Sequence, residues 1–339
     1  MSEHGSPAAA RPAGTDPFDP PEPAARRRVR SADGTSLNVE IHGPDSAPTV
    51  VLVHGWTCSI PFWAAVIREL ATDAAPGDRL RVVAYDQRGH GGSEVPGRGS
   101  YSVQALVDDL VAVLDATLPA GQKAVLVGHS MGGMAVMAAA ESESVLSRTC
   151  GAVLCSTGFH DLPVTSRIFP LSGRLPRYSR AAHRFMLHST LPLGPITPVT
   201  RAQLKYTALG PKASKHLAQV NAQIIHACRP GARSGWGHVL SGLDLSAAVS
   251  RLDVPTSVVF GTKDRLTPAP HAHEIVAALP QCTGLTLLPG LGHMTPMEAP
   301  DTVAGLIRER VAAAGGPDQA QQPTTHQPTT QQPAQGAGR

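Results

Sequence analysis

The sequence predicts an α/β fold: a mostly parallel sheet with flanking helices and an inserted helical cap. Three observations predict it. Residues 49–53, 80–85, 124–127, 151–155 and 256–261 are short, apolar runs, as strands buried on both faces should be. Segments with helical spacing lie between several of them, and such alternation implies a parallel sheet covered on both sides. The alternation stops after Phe159 and resumes near Thr256, leaving a stretch of short helical patterns broken by prolines.

Residues 1–25 are rich in Pro, Ala and small polar residues, without periodicity, and read as a disordered extension. The core is expected over 26–159 and 244–314. Residues 28–31 and 36–41 alternate in polarity around Asp33-Gly34, a hairpin signal. The strand at 49–53 runs into His54-Gly55-Trp56-Thr57, a turn that presents backbone N–H groups above the sheet. His54 is read as a loop-holding residue without proton chemistry. The Trp56 indole either lines a pocket or simply packs. Residues 62–70 form an amphipathic helix. After the strand at 80–85, the loop Asp86-Gln87-Arg88-Gly89-His90-Gly91-Gly92-Ser93 is read as braced by an Asp86–Arg88 network, with His90 structural. A helix over 102–118 is capped by Ser102 and carries apolar residues at Leu106, Val107, Leu110, Val111 and Leu114.

The next strand leads into Gly128-His129-Ser130-Met131-Gly132-Gly133, followed by a run of good helix formers. G-x-S-x-G between a strand and a helix is a nucleophile elbow, a strained turn that lifts the serine Oγ clear of the sheet. The helix beginning there points its positive end at the site. In parallel sheets the active site lies at the carboxyl ends of the strands, where His54, Trp56, Asp86 and Ser130 all fall.

Residues 160–243 form the expected cap, with helical patterns at 177–191, 201–209, 212–228 and 234–243. Between Leu162 and Leu243 there is no Asp or Glu, yet there are eleven basic residues: Arg167, Arg174, Arg177, Arg180, Arg184, Arg201, Lys205, Lys212, Lys215, Arg229 and Arg233. This is either a solvated basic face or a surface for something acidic: an anionic lipid surface, a carboxylated or phosphorylated substrate, or an acidic carrier protein. The sheet resumes at 256–261, and Asp264 follows it. A helix over 272–279 and a strand over 285–288 lead to Gly292-His293. Neighbouring parallel strands would set Asp264 and His293 side by side. A helix over 299–314 closes the fold, and 315–339 is a Gln/Pro/Thr-rich, low-complexity tail expected to be disordered.

Composition narrows the function. The chain has 29 basic and 26 acidic residues, which gives no argument for nucleic-acid binding. Five cysteines at irregular spacings, without C-x-x-C, argue against a disulfide framework and a zinc site. No run is long and apolar enough to span a bilayer, and no signal peptide is recognisable, so the expected compartment is the cytoplasm. No metal or organic cofactor is expected.

Ser130, Asp264 and His293 occur in the chain order of α/β-hydrolases. With His54-Gly55, the 86–93 loop and Gly128–Gly132, they make residues 26–314 resemble the α/β-hydrolase-fold superfamily, in its group of small cap-bearing serine hydrolases of esterase or lipase type. The resemblance implies an α/β-hydrolase fold and acyl transfer on a Ser130–Asp264–His293 triad, with an oxyanion hole from the Trp56 and Met131 backbone N–H groups. Asp161, after an earlier strand, is the alternative acid. The expected substrate is a small carboxylic ester with an apolar acyl group. A serine nucleophile sets the chain apart from epoxide hydrolases and haloalkane dehalogenases. Gly-His-Ser-Met-Gly sets it apart from proline iminopeptidases. Cofactor-free perhydrolases, thioesterases and carbon–carbon bond hydrolases remain open, as does a catalytically silent ligand-binding protein.

Overall fold

The computed structural model describes residues 16–97, 99–167 and 176–315, with backbone alone for 176–180. The expected disorder of residues 1–15 and 316–339 lies outside the described residues, as do Arg174 and the side chains of Arg177 and Arg180. Eight strands form one sheet: β1 (Ala25–Arg30), β2 (Ser36–His42), β3 (Thr49–Val53), β4 (Arg81–Tyr85), β5 (Ala124–His129), β6 (Thr149–Cys155), β7 (Thr256–Gly261) and β8 (Cys282–Leu288). Their order is β1-β2-β4-β3-β5-β6-β7-β8. β1 and β2 form the expected antiparallel hairpin, with Val29 opposite Leu37 and Gly34 turning at φ +86°. β2 runs antiparallel to β4, and every later pair is parallel.

The continuous apolar runs are explained by the pleat, which sends successive side chains to opposite faces. Val51 and Val53 of β3 join one core cluster, while Val50 and Leu52 join the other. The first cluster lies under α1 (Val103–Thr117) and α2 (Met131–Ala138). Ser102 caps α1 by accepting a hydrogen bond from the Ala105 N–H at 3.0 Å. The second cluster takes apolar side chains from residues 60–71, among them Phe62, Trp63 and Leu70, and Val303, Ala304 and Ile307 from the closing helix over Pro300–Ala314. The amphipathic helix expected at 62–70 is a composite. A 3₁₀ turn over Ile60–Trp63 leads into an α turn over Ala64–Ile67 and a π turn over Arg68–Thr72.

Between β6 and β7 lie α3 (Pro176–His188), α4 (Pro198–Ala208), α5 (Lys215–Ala227) and α6 (Pro230–Ser241). Gly237 of α6 is where α3 approaches closely: a Cβ there would lie 1.9 Å from the Leu187 carbonyl oxygen. After β7 come α7 (Pro270–Ala278), β8 and α8 (Pro300–Ala314).

Two details differ from the sequence reading. From Asp16 onward the N-terminal stretch is docked. Phe18 packs against the second core cluster, and Asp16 pairs with His216 at 2.6 Å. An apolar ring and a carboxylate–imidazole contact supply local anchors that composition does not reveal. Asp86 and Arg88 also do not brace each other. Asp86 accepts hydrogen bonds from the Ile60 and Gly92 N–H groups and the Asn38 amide at 2.8, 2.8 and 2.9 Å. Arg88 turns away to Asp109, with a forked pair of bonds at 2.8 and 2.6 Å, and to Asp33 at 2.7 Å. The two side chains therefore tie different layers: Asp86 holds loops at the sheet edge, and Arg88 joins the hairpin turn to α1.

Candidate active site

Chain direction selects the location. From β3 the chain steps to β4 on one side, then crosses to β5 on the other. The crevice beyond the carboxyl ends of β3 and β5 is thus a topological switch point. Val53 pairs with Gly128, so the residues three further along each strand, Trp56 and Met131, leave neighbouring strand ends.

Ser130 occupies the turn with φ +52° and ψ −119°, a conformation rare for a residue with a side chain. The neighbouring glycines explain how the turn closes. A Cβ on Gly132 would lie 2.0 Å from the Val53 carbonyl oxygen, and one on Gly128 would lie 2.5 Å from the Gly132 carbonyl oxygen. The Ser130 N–H donates to the Cys155 carbonyl at 3.0 Å, and its carbonyl accepts from Thr157 Oγ1 at 2.7 Å. The backbone is thus held between β5 and β6 while the side chain remains partly open to a cavity.

Asp264 and His293 follow β7 and β8, which are adjacent. Asp264 Oδ2 lies 2.8 Å from His293 Nδ1. Asp264 Oδ1 accepts from the Leu266 and Thr267 N–H groups at 2.8 and 2.9 Å, and Thr267 Oγ1 donates to Oδ2 at 2.9 Å. Such a carboxylate takes the Nδ1–H of the imidazole and leaves Nε2 as the free base. His293 and Ser130 line the same cavity. Asp161 is elsewhere: its side chain is 68% exposed and pairs with His160 at 3.3 Å.

Further residues hold this arrangement. Glu298 accepts from the Gly292 and Gly210 N–H groups at 2.8 and 2.7 Å, fastening the His293 loop to the end of α4. Burial pushes its pKa upward. His129 Nε2 donates to the His293 carbonyl at 3.0 Å. Thr267, Glu298 and His129 carry no motif of their own; only His129, inside the elbow, sits within a stretch that the sequence singles out.

Two other histidines of the region, His54 and His90, are engaged in loop hydrogen bonds. His54 Nδ1 donates to the Gly55 carbonyl at 2.8 Å, and Nε2 accepts from the Gln87 N–H at 3.0 Å. Burial lowers its pKa to about 4. His90 Nε2 accepts from the Thr57 N–H at 3.2 Å, and burial lowers its pKa to about 3. All five cysteines are free thiols. Burial raises the Cys58 and Cys155 thiols, and that of Cys228 to about 12, which disfavours a thiolate nucleophile.

The cavity holds about 500 Å³, is mainly apolar, and is roofed by the helical segment through Phe185, Leu191, Leu204 and Arg233. The Trp56 indole lines it and donates Nε1–H to the Arg233 carbonyl at 2.9 Å. A larger groove of about 740 Å³ crosses β1 and α1, but it contains none of these residues. Among the described residues no group of three or more His, Cys, Asp or Glu is arranged to hold a metal ion. No described helix is long and apolar enough to cross a membrane.

Comparison with known proteins bears on the fold and the family. A model of the alpha/beta hydrolase family matches residues 50–306. An uncharacterized protein of Mycobacterium tuberculosis is 30% identical over 264 residues, 73% of this chain and 70% of its own. A non-heme chloroperoxidase of Streptomyces lividans is 28% identical over 262 residues, 74% of this chain and 87% of its own. The esterase RhEst1 from Rhodococcus sp. ECU1013 superposes with a TM-score of 0.67 over 86% of this chain and 99% of its own, at 22% identity, a likeness of fold. With a parallel sheet, a strand–Ser–helix turn and a family match over most of its length, the chain belongs to the alpha/beta hydrolase family.

Proposed function

We propose that the protein is a serine hydrolase that cleaves a carboxylic ester through an acyl-enzyme on Ser130. The observation that carries this reading is the 2.8 Å contact of Asp264 Oδ2 with His293 Nδ1, which turns imidazole Nε2 into a base at the cavity that Ser130 lines. His293 accepts the Ser130 hydroxyl proton as Oγ attacks the ester carbonyl. Asp264 stabilises the resulting imidazolium. The backbone N–H groups of Trp56 and Met131 receive the oxyanion, a contribution of about 3 kcal/mol per donor in such sites. The imidazolium then protonates the departing alcohol, and water, activated by His293, releases the acid. The apolar lining suits an apolar acyl group.

Hydrolysis of p-nitrophenyl esters of increasing chain length tests this reading, with Ser130→Ala beside the wild type. Turnover present in the wild type and lost by about four orders of magnitude or more in the variant is expected. Turnover that survives in Ser130→Ala overturns the assignment. Failure of a fluorophosphonate to label Ser130 would instead favour a silent ligand-binding protein. A second enzymatic reading, perhydrolysis on the same triad, is favoured by the similarity to a chloroperoxidase. Peroxide- and carboxylate-dependent halide oxidation exceeding ester cleavage would select it.

A further inference from the structure

Three arginines are buried among the described residues: Arg81, Arg88 and Arg233, at 5%, 1% and 4% exposure. Arg81 has a carboxylate at 3.2 Å, from Asp45, and Arg88 has two, from Asp109 and Asp33. Arg233 has none among the described residues. It lies on α6, inside the acid-free stretch, so no neighbour within residues 162–243 supplies one. Its Nη2 donates to the carbonyl oxygens of Ser189 and Leu191. Nε and Nη1 donate to no described acceptor, nor do they count among the sealed, unpartnered polar atoms. The residue lines the cavity that also holds Ser130 and His293.

Placing a cation at the wall of an apolar cavity is costly unless an anion compensates it. Carbonyl dipoles offset part of that cost and also aim the guanidinium. The geometry points to a substrate that brings the missing charge: an ester carrying a carboxylate, bound with that carboxylate on Arg233 and its ester carbonyl at Ser130. This deepens the serine-hydrolase reading and rests on it for the position of the ester. One unpaired positive charge matches one carboxylate. A dianionic phosphate would leave excess negative charge among Leu, Phe and Met side chains. The basic helical segment favours the approach of the same anion through its long-range field.

Binding tests the inference without requiring turnover. Octanoate and octanamide share a chain and differ in charge. Calorimetry on the wild type should give at least tenfold tighter binding of octanoate, with the preference weakening as salt rises. Arg233→Gln should abolish the preference, and Arg233→Lys should keep part of it. Equal affinity of the two ligands for the wild type overturns the inference even if both variants fail to fold. So does a preference that persists in folded Arg233→Gln. Retention on phosphatidylglycerol vesicles together with equal affinity would assign the basic segment to a lipid surface. Turnover adds a second readout: mono-p-nitrophenyl suberate should exceed its methyl-capped diester in kcat/KM, mainly through KM. Ser130-dependent turnover without that preference would remove the role of Arg233 and leave the serine-hydrolase reading standing.

Discussion

At the carboxyl ends of the strands, glycines pressed against backbone and carboxylates saturated with hydrogen bonds hold Ser130, Asp264 and His293 in one arrangement. The helical segment above them is built otherwise. Phe185 and Leu191 stand 70% and 63% exposed at the rim of the cavity, and Arg233 lines it without an acidic partner among the described residues. Side chains below answer to protein partners, whereas above them two apolar side chains stand exposed and one arginine meets only carbonyl oxygens. On the serine-hydrolase reading, the contrast teaches a division of labour: the sheet edge would fix the chemistry, and the helical roof would choose what reaches it. Tight packing suits the first role, because a displacement of about 1 Å can cost on the order of a hundredfold in rate. Unsatisfied surface suits the second, because it is a ligand that completes it.

The division can be broken most severely at Asp264. Asp264→Asn removes the anion that selects the imidazole tautomer, and kcat should fall about 10⁴-fold with the fold intact. Asp161→Asn should leave turnover within about twofold, since that side chain is exposed and pairs with His160 away from His293. The reverse pattern in steady-state kinetics would move the acid to β6 and undo the comparison. Next in size is Gly132→Ala. The new methyl group would meet the Val53 carbonyl at 2.0 Å, so the elbow must shift, at a cost on the order of 3 kcal/mol in urea unfolding and with loss of fluorophosphonate labelling. An unchanged unfolding midpoint would show the turn to be slacker than its geometry implies.

The buried histidines give a pH dependence. His54 has its pKa lowered from 6.5 to about 4, and His90 from 6.5 to about 3, both chiefly by burial. Below the ordinary value the unfolded chain takes up protons that the folded chain refuses. Stability is therefore fully present above about pH 6.5 and is lost as pH falls toward the folded values, by roughly 3 kcal/mol from His54 alone. His54→Gln should be less stable at neutral pH but should flatten that slope in thermal unfolding between about pH 7 and pH 4. An unaltered slope would remove His54 as its source. The smallest expected effect lies in the roof. Phe185→Ser should change stability by less than about 0.5 kcal/mol, since the ring is 70% exposed, yet shift the preferred acyl chain length. A large loss of stability would mean that the roof depends on packing as much as the sheet edge does.

Much of the architecture is legible in the sequence because its determinants are local. Four apolar residues in a row at 50–53 need a surface on both faces, whatever lies further along the chain. Asp33-Gly34 turns a hairpin, Ser102 caps a helix, and Gly128 and Gly132 around Ser130 announce a sharp turn, all within a few residues. The contact of Asp264 with His293 is legible for a related reason: each follows a strand, and a single helix-plus-strand unit separates them. Partnerships between distant elements are not written locally. Asp86 and Arg88 look like a pair two residues apart, but the sheet order turns one toward Asn38 and the other toward Asp109 and Asp33. Thr267 and Glu298 become supports of the site only where β7, β8 and α4 converge.

By itself, then, the sequence determined which segments are strands and helices, where the serine turn falls, and that residues 162–243 are basic without acid. The tertiary structure decided which charges meet. The physical reason is range. Backbone conformation and burial patterning are set by neighbours along the chain, whereas an ion pair forms only when two groups from different elements come within a few ångströms. Arg233 is one of eleven basic residues in a composition; only the folded chain makes it the buried arginine that no described carboxylate meets.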